Sequence, residues 1–234
     1  MNNEKVFLVV IHAYNQMQVL ENLATAKDNG ADGAFLINHG VLNHKELLNI
    51  YSSVRQKKQY CPGEFWMGLN FLGLSAIEAL EFISSSENFI DGLWSDSVGL
   101  KIRSQTPTEE LIKFYWLRKK KDWEGLFFGG VAFKGQEYIE NPSMATHLVM
   151  PYVDVVTTSG PSTGYPPSIE KIKAMKGTLG SKPLAIASGI SSENVEQFLP
   201  YTKYFLVATS ISSDFNNLDA AQVKSLAKII HEWR

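Results

Sequence analysis

Apolar residues along this chain fall into short unbroken runs, separated by stretches where they recur every three or four positions. The runs are Val6–Ile11, Gly33–Asn38, Phe65–Asn70, Gly92–Asp96, Gly125–Phe133, Val153–Thr158, Pro183–Ile190 and Tyr204–Ile211. Each has the length of a strand and carries little charge, as strands covered on both faces require. The intervening stretches read as helices. Asn15 opens one with Met17, Leu20, Leu23 and Ala24 on a single face, ending near Gly30. Asn43 with Glu46, and Ser75 with Glu78, have the spacing of capping boxes. Thr106-Pro107-Thr108-Glu109 supplies an N-cap, a proline at the first helical position and an acid in succession. Asn141-Pro142 starts a weaker helix, and Pro166-Pro167 introduces another from Ser168 to Met175, stopped at Gly177 or Gly180. Ser191-Ser-Glu193-Asn-Val caps a further helix, and the last runs from Leu218 to Trp233.

Eight strand-then-helix units, spaced by about 30 residues, predict a (β/α)8 barrel. An open, doubly wound sheet fits the same pattern, but the similar small-residue turns after the last two strands favour closure. A weak repeat accompanies the alternation: Asp32-Gly33, Asp91-Gly92 and Glu124-Gly125 each introduce a strand, and Asp154 nearly does. No linker, low-complexity tract or composition break divides the chain, so one domain over residues 1–234 is expected.

Composition narrows the function. The 22 basic and 24 acidic residues nearly cancel, which gives no field to attract nucleic acid or a membrane surface. The single cysteine, Cys61, rules out an internal disulfide and suits a reducing compartment; set between a basic helix and a strand, it reads as inert. The polar N-terminus and the brevity of Val6–Ile11 predict no signal peptide and no membrane insertion, hence a cytoplasmic protein. A homo-oligomer is compatible with the sequence.

In a barrel, chemistry belongs to the C-terminal ends of the strands. His12, Asn15, Asn38, His39, Asn70, Asp96, Ser97, Lys134, Thr158, Ser159, Ser188 and Thr209 stand there. Asp96 and Lys134 end adjacent strands and offer either acid–base chemistry or a salt bridge on the rim. His12 and Asn38 complete the candidate catalytic set. The histidines lack metal-ligand spacing and an accompanying acid cluster, so neither a metal nor a cofactor is expected. Ser188-Gly189 and Thr209-Ser210 end consecutive strands, and such turns expose backbone N–H groups where a phosphate can bind. Two tight turns without a ligand is the plainer alternative.

Val153 to Thr163 resembles the ribose-phosphate loop of type I phosphoribosyltransferases, although only Asp154 is present of the paired acids that family carries. A wider likeness runs from Asp91 to Ile211. Asp91-Gly-Leu-Trp-Ser-Asp96, Phe128-Gly-Gly-Val-Ala-Phe-Lys134, Thr158-Ser-Gly-Pro-Ser-Thr-Gly164 and Ile186-Ala-Ser-Gly-Ile-Ser-Ser-Glu-Asn-Val195, followed by Val207-Ala-Thr-Ser-Ile211, resemble the BtpA family. The first ninety or so residues match it poorly: His12-Ala-Tyr-Asn15 replaces the usual Pro-Gly-rich loop. The resemblance implies a barrel of the type that binds phosphorylated ribulose-like ligands. It also implies a phosphate held by Ser188, Gly189, Thr209 and Ser210, with Ser159, Gly160 and Thr163 near the ligand. Two classes of function follow: an enzyme acting on a phosphorylated sugar or nucleotide-like molecule by isomerisation, lyase chemistry or glycosyl transfer, or a non-catalytic binding or biogenesis factor with the same cradle.

Overall fold

The computed structural model describes residues 4–57, 65–84, 90–99 and 106–233; Cys61 lies outside them. Eight parallel strands close into a barrel: β1 (Val6–His12), β2 (Gly33–Ile37), β3 (Trp66–Asn70), β4 (Gly92–Ser95), β5 (Leu126–Gly130), β6 (Val155–Thr158), β7 (Leu184–Ile186) and β8 (Tyr204–Val207). Closure is made by β1 against β8, with Val6 opposite Tyr204 and Val9 opposite Val207. The helices are α1 (Gln16–Asp28), α2 (His44–Arg55), α3 (Ala76–Ser84), α4 (Glu109–Lys120), α5 (Pro142–Val149), α6 (Ile169–Leu179) and α7 (Ala220–Glu232).

Strand alternation sorts the apolar side chains into two cores. Phe7, Val9 and Ile11 of β1 belong to the larger one, packed with helix residues such as Val19 and Leu23. Leu8 and Val10 turn inward and meet Phe35, Trp94, Phe128, Val155, Ala185 and Leu206 in the lumen. Phe35 is central there, edge-on to Trp66, Trp94 and Phe128 at ring separations of 5.0, 5.5 and 5.2 Å. That ring needs the glycine at position 68, since a Cβ there would lie 2.3 Å from a Phe35 ring carbon. The lumen is therefore filled below its mouth, as a small barrel requires.

The acid repeat explains itself at the opposite end. Asp32, Asp91 and Asp154 each precede a strand and accept a hydrogen bond from a backbone N–H of the preceding strand: Phe7 at 2.7 Å, Met67 at 2.8 Å and Phe127 at 2.7 Å. Each also pairs with a basic side chain on a helix: His231 at 3.0 Å, Arg55 at 2.7 Å and Arg118 at 2.6 Å respectively. The repeat is a structural clip joining two strands and a helix. Glu124 is exposed and makes no such bond among the described residues.

Several local expectations need correction. Thr108, not Thr106, caps α4, because its side chain accepts from Leu111 N; Pro107 precedes the helix. Met17 is 65% exposed, while Gln18 and Asn22 are buried in its place, both donating to the Asn216 carbonyl. The helix expected after β7 is only a 3-10 turn, Val195–Gln197; Asn194 accepts from Ser191 N and donates to the Gly189 carbonyl, which tightens the chain instead of extending it. The strands β5, β7 and β8 also stop short of their apolar runs.

Candidate functional site

The inward face of each strand continues into the mouth. His12 follows Leu8 and Val10 in parity, Asn70 follows Trp66, and Asp96 follows Trp94. A cavity of about 840 Å³ opens above the lumen core. His12, His39, Asp96, Lys134, Thr163, Ser188, Gly189, Thr209 and Ser210 all line it. Its floor is apolar: Val10, Ile37, Leu72, Trp94 and Leu206.

Asp96 accepts a hydrogen bond from Asn70 Nδ2 at 3.0 Å, across the β3–β4 seam. Burial pushes its carboxyl above the ordinary value, opposed by that bond and by the more distant charge of Lys134. The two do not form an ion pair: Lys134 Nζ donates instead to Thr163 Oγ1 at 3.1 Å. Gln136 fixes the loop between them by donating to the carbonyls of Asp96 and Gly130 at 2.7 and 3.0 Å.

His12 stacks on Phe215 with ring centroids 4.4 Å apart, and its Nδ1 lies 3.0 Å from the Phe215 carbonyl. An Nδ1–H donor follows, leaving Nε2 as the free lone pair. Burial holds this imidazole below the usual histidine range. His39 stands edge-on to both rings, at 5.2 Å from His12 and 5.3 Å from Phe215. Among the described residues no group of three His, Cys, Asp or Glu side chains gathers.

The turns after β7 and β8 meet at the same mouth. Among the described residues, the backbone N–H groups of Gly189, Ile190, Thr209 and Ser210 have no protein acceptor. Ser188 Oγ donates to the Ser162 carbonyl at 3.1 Å and Ser210 Oγ to the Ile190 carbonyl at 2.5 Å, so both hydroxyls brace the turns. Gly189 has φ +67°, and a Cβ there would lie 2.1 Å from the Tyr165–Pro166 backbone. The close approach that its glycine permits is made by the β6–α6 loop. A Cβ built at Gly160 would likewise clash with the Tyr165 carbonyl.

The remaining candidates sit elsewhere. Asn38 spends its amide on the Leu72 N–H and the Leu42 carbonyl, at 3.0 and 3.3 Å, and does not line the main cavity. Ser159 accepts from Lys134 N at 2.7 Å and, with Gly160, lines a second cavity of about 440 Å³. Asn15 caps α1 by accepting from Gln18 N. Asp154, the acid of the phosphoribosyltransferase-like stretch, is bound to Arg118 at the far end of the barrel and cannot reach that loop.

Sequence reasoning passes over two residues. Lys171, in the first turn of α6, donates to the carbonyls of Ala132 and Ser159, and burial lowers its amine to about 8. Its place on a helix gave no sign of this. Phe215 is the lone aromatic in the polar stretch Ser212 to Asn217, a signal visible once the loop is seen to cross the mouth.

Solved structures share this fold at low identity. A structure described as native KDPGal is 12% identical, covering 95% of this chain and 92% of its own, with a TM-score of 0.67. (S)-3-O-geranylgeranylglyceryl phosphate synthase from Thermoplasma acidophilum, in complex with substrate sn-glycerol-1-phosphate, is 13% identical, with coverage of 99% and 95% and a TM-score of 0.65. Phosphoribosyl anthranilate isomerase from Thermus thermophilus is 11% identical, with coverage of 98% and 100% and a TM-score of 0.61. No curated protein sequence matches the chain. The BtpA family model matches residues 103–232, more than half of the chain and the whole stretch from α4 through α7, and the protein belongs to the BtpA family.

Proposed function

We propose that this barrel is an enzyme acting on a phosphorylated small molecule, whose phosphate rests on the turns after β7 and β8. What carries this is the meeting, in one cavity, of four acceptor-free N–H groups and a half-buried carboxyl held by Asn70. Backbone N–H groups bind phosphate oxygens through charge-assisted bonds, and no lysine or arginine is needed at the turn. Two similar barrels carry phosphorylated or phosphoribosyl compounds in their descriptions, which agrees with this assignment.

The strand order sets the distance over which the ligand reaches. Strand β4 stands opposite β8 in a ring of eight, so Asp96 faces the phosphate turns across the apolar floor. A carboxyl raised by burial holds its proton closer to neutral pH, which suits a group that gives and takes a proton. Lys134, tied to Thr163 beside the phosphate turns, supplies positive charge for an oxygen that becomes anionic during the reaction. His12, with its charged form disfavoured and Nε2 free, serves as a second proton acceptor. Isomerisation, lyase chemistry and glycosyl transfer on a phosphorylated chain all use such groups.

A second reading has its own observation. Tyr14, Val41, Tyr138, Tyr165 and Phe215 are all exposed and belong to five different loops around the mouth. An apolar rim also suits a binding factor whose mouth is covered by a partner.

Titration calorimetry with inorganic phosphate tests the phosphate assignment. The parent should bind phosphate, and Thr209→Asp should weaken binding at least about tenfold, since its carboxylate takes the same N–H groups and repels the anion. Thr209 is exposed, so the melt should be unchanged. Equal affinity in the two proteins would remove the turns as the phosphate site.

A further inference from the structure

We infer that the ligand carries a planar aromatic group beside its phosphate, held against the wall formed by His12, His39 and Phe215. This rests on the phosphate assignment above and extends it to the class of ligand. The three rings follow β1, β2 and β8, on the side of the phosphate turns away from Lys134, and all of them line the main cavity. They form a fixed surface. Besides the His12 contact to its carbonyl, the loop bearing Phe215 is anchored by Gln18 and Asn22, which both donate to the Asn216 carbonyl. Asp214 adds a local brace by accepting from Asn216 N and Asn217 N at 2.8 and 3.0 Å. Phe215 nonetheless remains 55% exposed. A large aromatic side chain held this firmly and left uncovered is pre-organised for a planar partner, because rings gain from offset or edge-on contact with rings.

The surrounding chemistry points the same way. The floor beneath these rings is hydrocarbon, with Val10, Ile37 and Leu72. A ligand made only of a hydroxylated chain and a phosphate would leave that floor and the exposed Phe215 ring without use, and its hydroxyls would lack partners there.

The test compares phenyl phosphate, cyclohexyl phosphate and inorganic phosphate by titration calorimetry on the full chain. Phenyl and cyclohexyl groups have similar size and differ in planarity. Phenyl phosphate should bind about fivefold tighter than cyclohexyl phosphate, a ratio of the order expected for one aromatic contact. Both Phe215→Ala and Phe215→Leu should reduce that ratio to about one, the leucine keeping apolar bulk without a ring. A melt on the same samples checks folding. If phenyl and cyclohexyl phosphate bind alike, the group is apolar but not planar, and the inference falls. If neither improves on inorganic phosphate, the inference falls while the phosphate assignment stands. If inorganic phosphate itself does not bind, both fall together. An unchanged ratio in both folded Phe215 variants would contradict the aromatic wall directly.

Discussion

Asp96 illustrates how one position gathers its chemistry from its surroundings. Its parity with Trp94 points it into the lumen, burial disfavours its charge, and the Asn70 amide holds it in place. The sign of its effect on stability follows. With a folded-state value above the unfolded one, it favours the native state below the unfolded value, and this is lost as pH rises through the folded value. At neutral pH the ionised group therefore costs stability. Asp96→Asn should melt at or above the parent temperature at pH 7, with that difference shrinking on acidification toward pH 4, the ordinary range of the carboxyl. In a turnover assay the same variant should be inactive. A variant that melts clearly below the parent at pH 7 would mean that Asp96 serves the fold. Gly189 teaches the complementary lesson: its missing Cβ makes room for the Tyr165–Pro166 backbone, so a substitution there would disturb the turn before it reported on any ligand.

At the scale of elements, the clips at the base of the barrel separate what is structural from what is available for chemistry. Asp91 binds Arg55 through both carboxylate oxygens at 2.7 Å and also accepts from Met67 N. Removing it takes a two-oxygen carboxylate contact from the half-buried Arg55 guanidinium and a bond from Met67 N. Asp91→Ala should cost about 3 kcal/mol in denaturant unfolding. Glu124→Ala, at the analogous but exposed position, should stay within about 0.5 kcal/mol. Equal effects would show that the repeat is not a clip. Much of this level is legible in the sequence. The boxes at Asn43 and Ser75 form as their spacing demands, and Ser168, Asn141 and Asn15 each cap the helix that they precede. Long-range partners are what the sequence withholds. Gln18 and Asn22 are buried only because the carbonyl of Asn216 waits for them, 198 and 194 residues away. After β7 the competition is local: hydroxyls promise a helix, and the short-range bonds of Asn194 to Ser191 N and the Gly189 carbonyl close a turn instead.

For the whole molecule, eight alternating strand–helix units, together with the similar small-residue turns after the last two strands, predict closure, and β1 pairs with β8 accordingly. The position of a residue along a strand is legible too, so Asp96, His12 and the two terminal turns can be placed at one mouth before any side chain is seen. Loop paths are not. Asn38 and Ser159 look like His12 in sequence but spend their polar atoms on neighbouring loops, and Phe215 joins the mouth from a stretch without periodicity. The central claim is that the turns after β7 and β8 hold a phosphate, and a crystal structure of the protein grown in saturating phosphate tests it most directly. The account predicts a phosphate within hydrogen-bonding distance of the N–H groups of Gly189, Ile190, Thr209 and Ser210, at the mouth shared with Asp96. A phosphate-saturated crystal in which this place is empty, with the anion bound only to lysines elsewhere, would contradict it.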